Sequence, residues 1–165
     1  MNLIVAADAN WAIGKDGDQL CYIPEDLKRF QKLTSGHAVI LGRKTLATFP
    51  GGRPLKNRRN LILSTREGFQ AEGAEVFSDL PSALAAAPAD SFIIGGESIY
   101  RQALPYCDRA YVTKLEKTFP ADRFFPDLDR DPEWEVIEKT GPHFHEDLSF
   151  FYVTYQRLAG KISKM

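Results

Sequence analysis

The sequence predicts a single α/β domain: a central, mostly parallel twisted sheet that finishes in antiparallel strands, flanked by about four helices. Three observations predict it. Short continuous apolar runs, such as Leu3-Ile4-Val5-Ala6-Ala7 and Phe92-Ile93-Ile94, suit strands covered on both faces. Helical patterns alternate with these runs. The last strand-like segments alternate apolar and polar residues, as strands with one solvated face do. The 165 residues fit one domain, with 44% hydrophobic and 26% charged residues. A chain of this length buries roughly 70% of its unfolded surface and needs no disulfide or metal to hold a core.

The elements follow in order. After the first strand comes a long polar loop from Asp8 to Ile23, bending at Gly14 and Gly17. Loops of such length in a compact domain tend to be functional. Pro24 to Thr34 reads as a helix: Pro24 suits its first turn, Glu25 and Asp26 its positive end, and Leu27, Phe30 and Leu33 form an apolar stripe. Ala38 to Leu41 is a second buried strand, followed by a short helix opening at Gly42-Arg43-Lys44-Thr45. Pro50 to Pro54 is a loop, and Leu61-Ile62-Leu63 a third strand. Ser78 or Asp79 can cap a helix running through Ser82 to Ala87. The fourth strand, Phe92 to Ile94, ends on Gly95-Gly96, and a helix follows through Ser98 to Leu104. Ala110 to Thr113, Trp134 to Ile137 and Phe150 to Tyr155 complete the strands. The domain is set at residues 1–158, with 159–165 as a frayed tail.

Composition excludes several classes. Lys plus Arg is 21 against Asp plus Glu 22, which argues against nucleic-acid or polybasic membrane binding. No apolar run approaches a membrane span, and the first residues do not read as a signal peptide. Cys21 and Cys107 form no CxxC pair, so free thiols in a reducing cytoplasm are the expectation.

Chemistry concentrates at the strand ends. Asp26 lies beside Leu27 and Phe30, where a carboxylate at an apolar wall can bind a polar ring and supply or relay a proton. From this segment alone a solvated helix-terminal acid is the favoured alternative. Gly95-Gly96 lets a backbone approach a phosphate, though an ordinary tight turn fits as well. Arg43, Lys44, Ser64, Thr65 and Arg66 add cations and hydroxyls at neighbouring strand ends, where open α/β sheets gather ligands. Each cation alone is equally a solvated surface charge. His143-Phe144-His145-Glu146 falls in a loop between late strands without a third ligand, so no metal is expected. Cys21 lacks a nearby histidine, and Ser98 lacks a nucleophile elbow.

The ordered set Ile4-Val5-Ala6-Ala7-Asp8 through Ile13-Gly14, Ile23 to Phe30, Gly42 to Thr45, Arg58-Arg59-Asn60, Leu63 to Arg66, Ile94-Gly95-Gly96 with Tyr100, and Phe125-Pro126 resembles the bacterial type of dihydrofolate reductase. The resemblance spans about Leu3 to Arg157. It implies a cytoplasmic monomer that reduces 7,8-dihydrofolate with NADPH, takes antifolate inhibitors, and binds neither nucleic acid nor membrane. It assigns Asp26 to the pterin amino group and ring nitrogen, with Thr113 as its hydrogen-bond support. Val5, Ala6, Leu27, Phe30, Phe49 and Leu55 would line the folate pocket, and Arg58 would meet the carboxylate of the glutamate tail. Ala7, Ile13 and Gly14 would border the nicotinamide. Thr45, Gly95, Gly96 and the helix start beyond them, Glu97, Ser98, Ile99 and Tyr100, would contact the pyrophosphate side. Gly42, Lys44, Leu63 and Ile94 complete the cofactor set, and Arg43, Ser64, Thr65 and Arg66 offer the charge and donors that a 2′-phosphate requires. The glycine pair also matches the family's cis Gly–Gly peptide. One departure stands out: Cys21 occupies the place of the family's tryptophan, which normally contacts substrate. Glu97 beside a phosphate is unfavourable unless it points away. The rival readings are a similar reductase for another pyrimidine or pterin, and a binding module without turnover.

Overall fold

The computed structural model describes residues 1–158. Its strands are β1 (Asn2–Ala7), β2 (Ala12–Gly14), β3 (Ala38–Gly42), β4 (Arg59–Leu63), β5 (Ala74–Phe77), β6 (Phe92–Gly95), β7 (Arg109–Leu115), β8 (Arg123–Phe124), β9 (Trp134–His145) and β10 (Leu148–Arg157). Four α-helices, α1 (Pro24–Thr34), α2 (Arg43–Leu46), α3 (Leu80–Ala86) and α4 (Glu97–Ala103), connect them. The main sheet has eight strands in the order β5-β4-β3-β6-β1-β7-β10-β9. Pairs from β5 to β7 are parallel; β10 joins both neighbours antiparallel. The predicted architecture stands. The expected frayed segment, 159–165, lies outside the described residues.

The sheet is covered on both faces because its inner strands are apolar on both. Leu3, Val5 and Ala7 enter one layer with Ile40, Leu61, Ile93, Val112 and Tyr100, under α3 and α4. Ile4 enters the other with Val39, Leu41, Ile62 and Ile94, under Phe30 and Leu33 of α1. Helix α1 starts on Pro24 with Glu25 and Asp26 in its first turn, and Ile23 gives it no side-chain cap. Asp79, one of the two expected caps, accepts from the Ser82 N–H at 2.8 Å and opens α3 two residues before the expected start.

Three elements depart from the sequence reading. The Asp8–Ile23 loop contains β2, which pairs with β8 far along the chain. Ala74–Phe77 forms an edge strand, β5, that the sequence reading left out. The stretch expected as a loop around His143-Phe144-His145 belongs instead to β9, a twelve-residue strand that pairs with β10. The His143 ring packs on Phe150 and Tyr152 rather than facing a ligand cluster.

Candidate active site

The register of β1, β7 and α1 builds the centre of the site. Ala6 on β1 pairs with Thr113 on β7, and the Thr113 hydroxyl donates to Asp26 Oδ1 at 2.6 Å. Asp26 sits with Ala6, Gln19, Leu20, Cys21, Ile23, Leu27 and Leu115 around a small hollow. Desolvation in these surroundings pushes the Asp26 carboxyl above its usual range, against the bond from Thr113 and the charge of Arg29, which favour the anion. The neighbouring Glu25 adds a smaller push upward. The same burial pushes the Cys21 thiol up, aided by the charge of Asp26, so Cys21 lines the hollow as a neutral group.

Phe30, Phe49 and Leu55 extend the wall on the Ile4 layer. Val5 lies one residue along, so its side chain enters the opposite layer and only its backbone faces this side of the sheet. Arg58 stands beyond the wall. Its Nε donates to the Lys56 carbonyl at 2.8 Å and its Nη1 to Thr34 Oγ1 at 3.1 Å, which fixes the guanidinium at the rim. Asn60, a buried residue outside the predicted set, clamps this loop. It accepts from the Leu55 N–H at 3.0 Å and donates to the Leu55 and Arg58 carbonyls. Its partners are backbone groups, which carry no sequence signal.

The phosphate-compatible groups gather at the neighbouring strand ends. The Gly95–Gly96 peptide is cis, as the resemblance implied, and Gly95 has φ +128°. A Cβ on Gly95 or Gly96 would come 3.5 or 3.4 Å from Thr45 Oγ1. Ile99 packs just behind, 3.4 Å from where a Cβ on Gly42 would stand. Tyr100 is a core residue whose hydroxyl donates to the Ile4 carbonyl at 2.7 Å. Ser98 is exposed and its hydroxyl accepts from Gln102. Glu97 turns away: its Oε2 accepts from the Phe124 N–H at 2.7 Å. Leu63 is buried at the end of β4, and Ser64, Thr65 and Arg66 continue past it. Ser64 and Arg66 line an open cavity of about 620 Å³ with Phe69, Gln70 and Ser78. Arg43 lies over the Phe69 ring at 6.0 Å, whereas Lys44 is exposed. Ala7 is buried, and Ile13 and Gly14 lie on β2 near it.

A second buried acid was missed by sequence reasoning. Asp8 has no exposed surface and accepts from the N–H groups of Asn10 at 2.8 Å, Ala12 at 2.9 Å and Phe119 at 2.8 Å. It ties the end of β1 to the start of the active-site loop and to the segment after β7.

A partly buried acid in the first turn of α1, with glycine-bearing strand-to-helix turns at the ends of β3 and β6, fits an α/β enzyme that works with a nucleotide cofactor. The comparisons narrow the class. The model of the family described as dihydrofolate reductase matches residues 1–157, and the chain belongs to that family. The family's function is reduction of dihydrofolate with NADPH. Among curated relatives, the dihydrofolate reductase of Bacillus subtilis is 40% identical over 139 residues, 83% of this chain and 81% of the relative. That of Staphylococcus haemolyticus is 37% identical over 161 residues, 96% of each. The solved dihydrofolate reductase from Enterococcus faecalis, complexed with NADP(H) and RAB-propyl, superposes with a TM-score of 0.84 at 34% identity, covering 94% of this chain and 95% of the other.

Proposed function

We propose that residues 1–158 form one catalytic unit that reduces 7,8-dihydrofolate to 5,6,7,8-tetrahydrofolate with NADPH, and that Asp26 is its acid. The carrying observation is the bond from Thr113 to Asp26, whose carboxyl lines a small hollow with Ala6, Leu20, Ile23, Leu27 and Leu115 and only Gln19 and Cys21 as polar neighbours. Thr113 occupies Oδ1, and Oδ2 has no protein donor among the described residues. An unspent carboxylate oxygen in such a place fits the adjacent N–H and amino donors of a pterin edge. The pterin must gain a hydride at C6 and a proton at N5. Asp26 supports both by holding the ring in register and by favouring positive charge as it develops there. Its raised pKa brings it closer to holding a proton at neutral pH. Phe30, Phe49 and Leu55 exclude water from the ring's surroundings, and Arg58 presents a guanidinium fork to the tail carboxylate.

The strand-end residues fit the cofactor. The side-chain-free surface at Gly95 and Gly96 against Thr45 allows close backbone approach to a pyrophosphate, and Glu97 is spent on Phe124 rather than facing that anion. Arg43, Ser64, Thr65 and Arg66 suit a 2′-phosphate beside the cavity at the end of β4. Bound there, NADPH supplies the hydride. We further read the chain as a cytoplasmic monomer that binds diaminopyrimidine antifolates through Asp26. Its near-neutral charge and two free cysteines support the location. Among the described residues no helix is long and apolar enough to cross a membrane.

The test is direct. Purified protein should consume NADPH, followed by its near-ultraviolet absorbance, only when dihydrofolate is added. Consumption that ignores dihydrofolate, or none at all, would overturn the assignment.

A further inference from the structure

Near Asp26 lies an arrangement that the reaction described above does not use. Arg29 follows Asp26 by three residues on α1, so both project from one face of the helix. The Arg29 guanidinium carbon stands 4.1 Å from the centroid of the Tyr152 ring. Tyr152 pairs with Thr113 across β7 and β10, and Thr113 is the donor to Asp26. Ladder pairing, the ring contact, the hydrogen bond and the helix spacing thus bring acid, donor, aromatic ring and guanidinium into one neighbourhood over three elements.

The platform is rigid and neutral. Tyr152 is 9% exposed, and the His143 ring packs against it at 4.8 Å and the Phe150 ring at 5.5 Å. Burial pushes its phenol up to about 12, so it carries no charge at working pH. Its hydroxyl is buried without a partner among the described residues, which leaves the ring face as the part of the residue in use.

We propose that Arg29, set over the Tyr152 ring, is a positioning residue that holds a positive charge near the Asp26 carboxylate and so sets the pH range in which the acid works. The proposal rests on the reading of Asp26 as the site acid. A free arginine would sweep its charge through solvent; the ring contact keeps it within reach of Asp26. The titratable groups around it are Glu25 and Asp26 on its own helix, Tyr111 on β7, Tyr152 on β10, and Glu138 on β9, with His143 behind the ring. Burial pulls the guanidinium's pKa down, with Tyr152, Asp26 and Glu138 opposing it, and the guanidinium in turn favours the Asp26 anion. Without it, burial would dominate further and Asp26 would keep its proton to higher pH.

The experiment compares the parent with Arg29→Gln, Arg29→Lys and Tyr152→Phe. NMR of the Asp26 side-chain carboxyl carbon reads its titration, and single-turnover hydride transfer is followed against pH. In Arg29→Gln the midpoint should rise. Transfer on the alkaline limb, relative to that variant's own plateau, should increase about two- to fivefold. Arg29→Lys keeps the charge without the guanidinium over the ring, so its midpoint should fall between the two. Tyr152→Phe keeps the platform, so the midpoint should stay at the parent value. An unmoved midpoint in Arg29→Gln, or an equal move in Tyr152→Phe, overturns the proposal. A midpoint that moves while transfer ignores it would instead sink the reading of Asp26 as the acid.

Discussion

Replacing Asp26 by asparagine isolates the charge from the shape of the site. The amide keeps a carbonyl oxygen where Oδ1 now accepts from Thr113 at 2.6 Å, so that bond and the start of α1 should survive. What disappears is the negative charge and the exchangeable proton. General acid–base contributions typically amount to 10²–10⁴ in rate, about 2.7–5.5 kcal/mol of barrier. Here the upper part of that range applies, because no neighbour can take over. Cys21, the other titratable group lining the hollow, has its thiol pushed up and is a poor proton donor. Single-turnover hydride transfer at neutral pH, with NADPH prebound, is the assay. The asparagine variant should be slower by about 10³–10⁴-fold. Lowering the pH should recover part of the loss, because solvent can then protonate N5. NADPH affinity should change little, since the glycine pair and Arg43 sit at other strand ends. Equal rates for the two proteins at neutral pH would refute the reasoning and leave Asp26 an ordinary helix-terminal acid.

Three further outcomes follow from named contacts. Arg58→Leu removes the guanidinium at the rim; each charge-assisted bond is worth roughly 1.5–3 kcal/mol, less where exposed, so KM for dihydrofolate should rise about tenfold or more. Affinity for a tail-less diaminopyrimidine should hold, and a parallel loss of both would contradict the role. Asp8→Ala strips a fully buried carboxylate from three N–H groups, one buried and two part-buried, and should cost about 2–4 kcal/mol in urea unfolding; a loss below about 1 kcal/mol would show that water replaces the carboxylate. Asp26→Asn should melt above the parent at neutral pH. Because the folded carboxyl is raised, the unfolded chain ionises first as pH increases. The parent's deficit therefore opens above the unfolded carboxylate value and is complete above the folded one. Thermal scans in which the gap instead opens on acidification would reverse the sign and the argument.

How much of this was legible depended on where each residue finds its partners. The β1, β3 and β6 runs were readable because both faces of these strands are covered, so Leu3 to Ala7, Ala38 to Leu41 and Phe92 to Ile94 are continuously apolar. Strand β5 was not, because it is a four-residue edge with Glu75 exposed, and Arg59 holds that glutamate from the neighbouring strand at 2.6 Å. Strands β2 and β8 are too short for any period, and pairing across more than a hundred residues creates them. In β9 the exposed, charged run after Ile137 hides the strand; its order comes from β10. The site behaves likewise. The local pattern around Asp26 offered a pocket acid but favoured a solvated one, and the resemblance turned that balance. The residue that changes its environment, Thr113, lies 87 positions away. Asp8 and Asn60 stand in the motifs that carry the resemblance, but they act on backbone groups, so the sequence gives no sign of their roles.

The acids of this chain show what distinguishes Asp26 physically. Asp79 stands at a helix start too, but it spends an oxygen on the Ser82 N–H, and that bond holds its carboxyl below the usual range. Glu97, in the first turn of α4, spends Oε2 on Phe124 N–H. Asp8 spends both oxygens on three backbone donors. Each of these has its charge committed to holding backbone in place. Asp26 occupies the first turn of α1, where the macrodipole favours an anion by about 0.3–1 kcal/mol. Thr113 and Arg29 favour it further, yet its pKa is raised. Burial must therefore outweigh all three. A sequence selected for stability alone would relieve that conflict with an asparagine, which keeps the Thr113 bond without the buried charge. An aspartate there, with one oxygen unspent, costs stability and is what the proposed contact with a pterin edge requires.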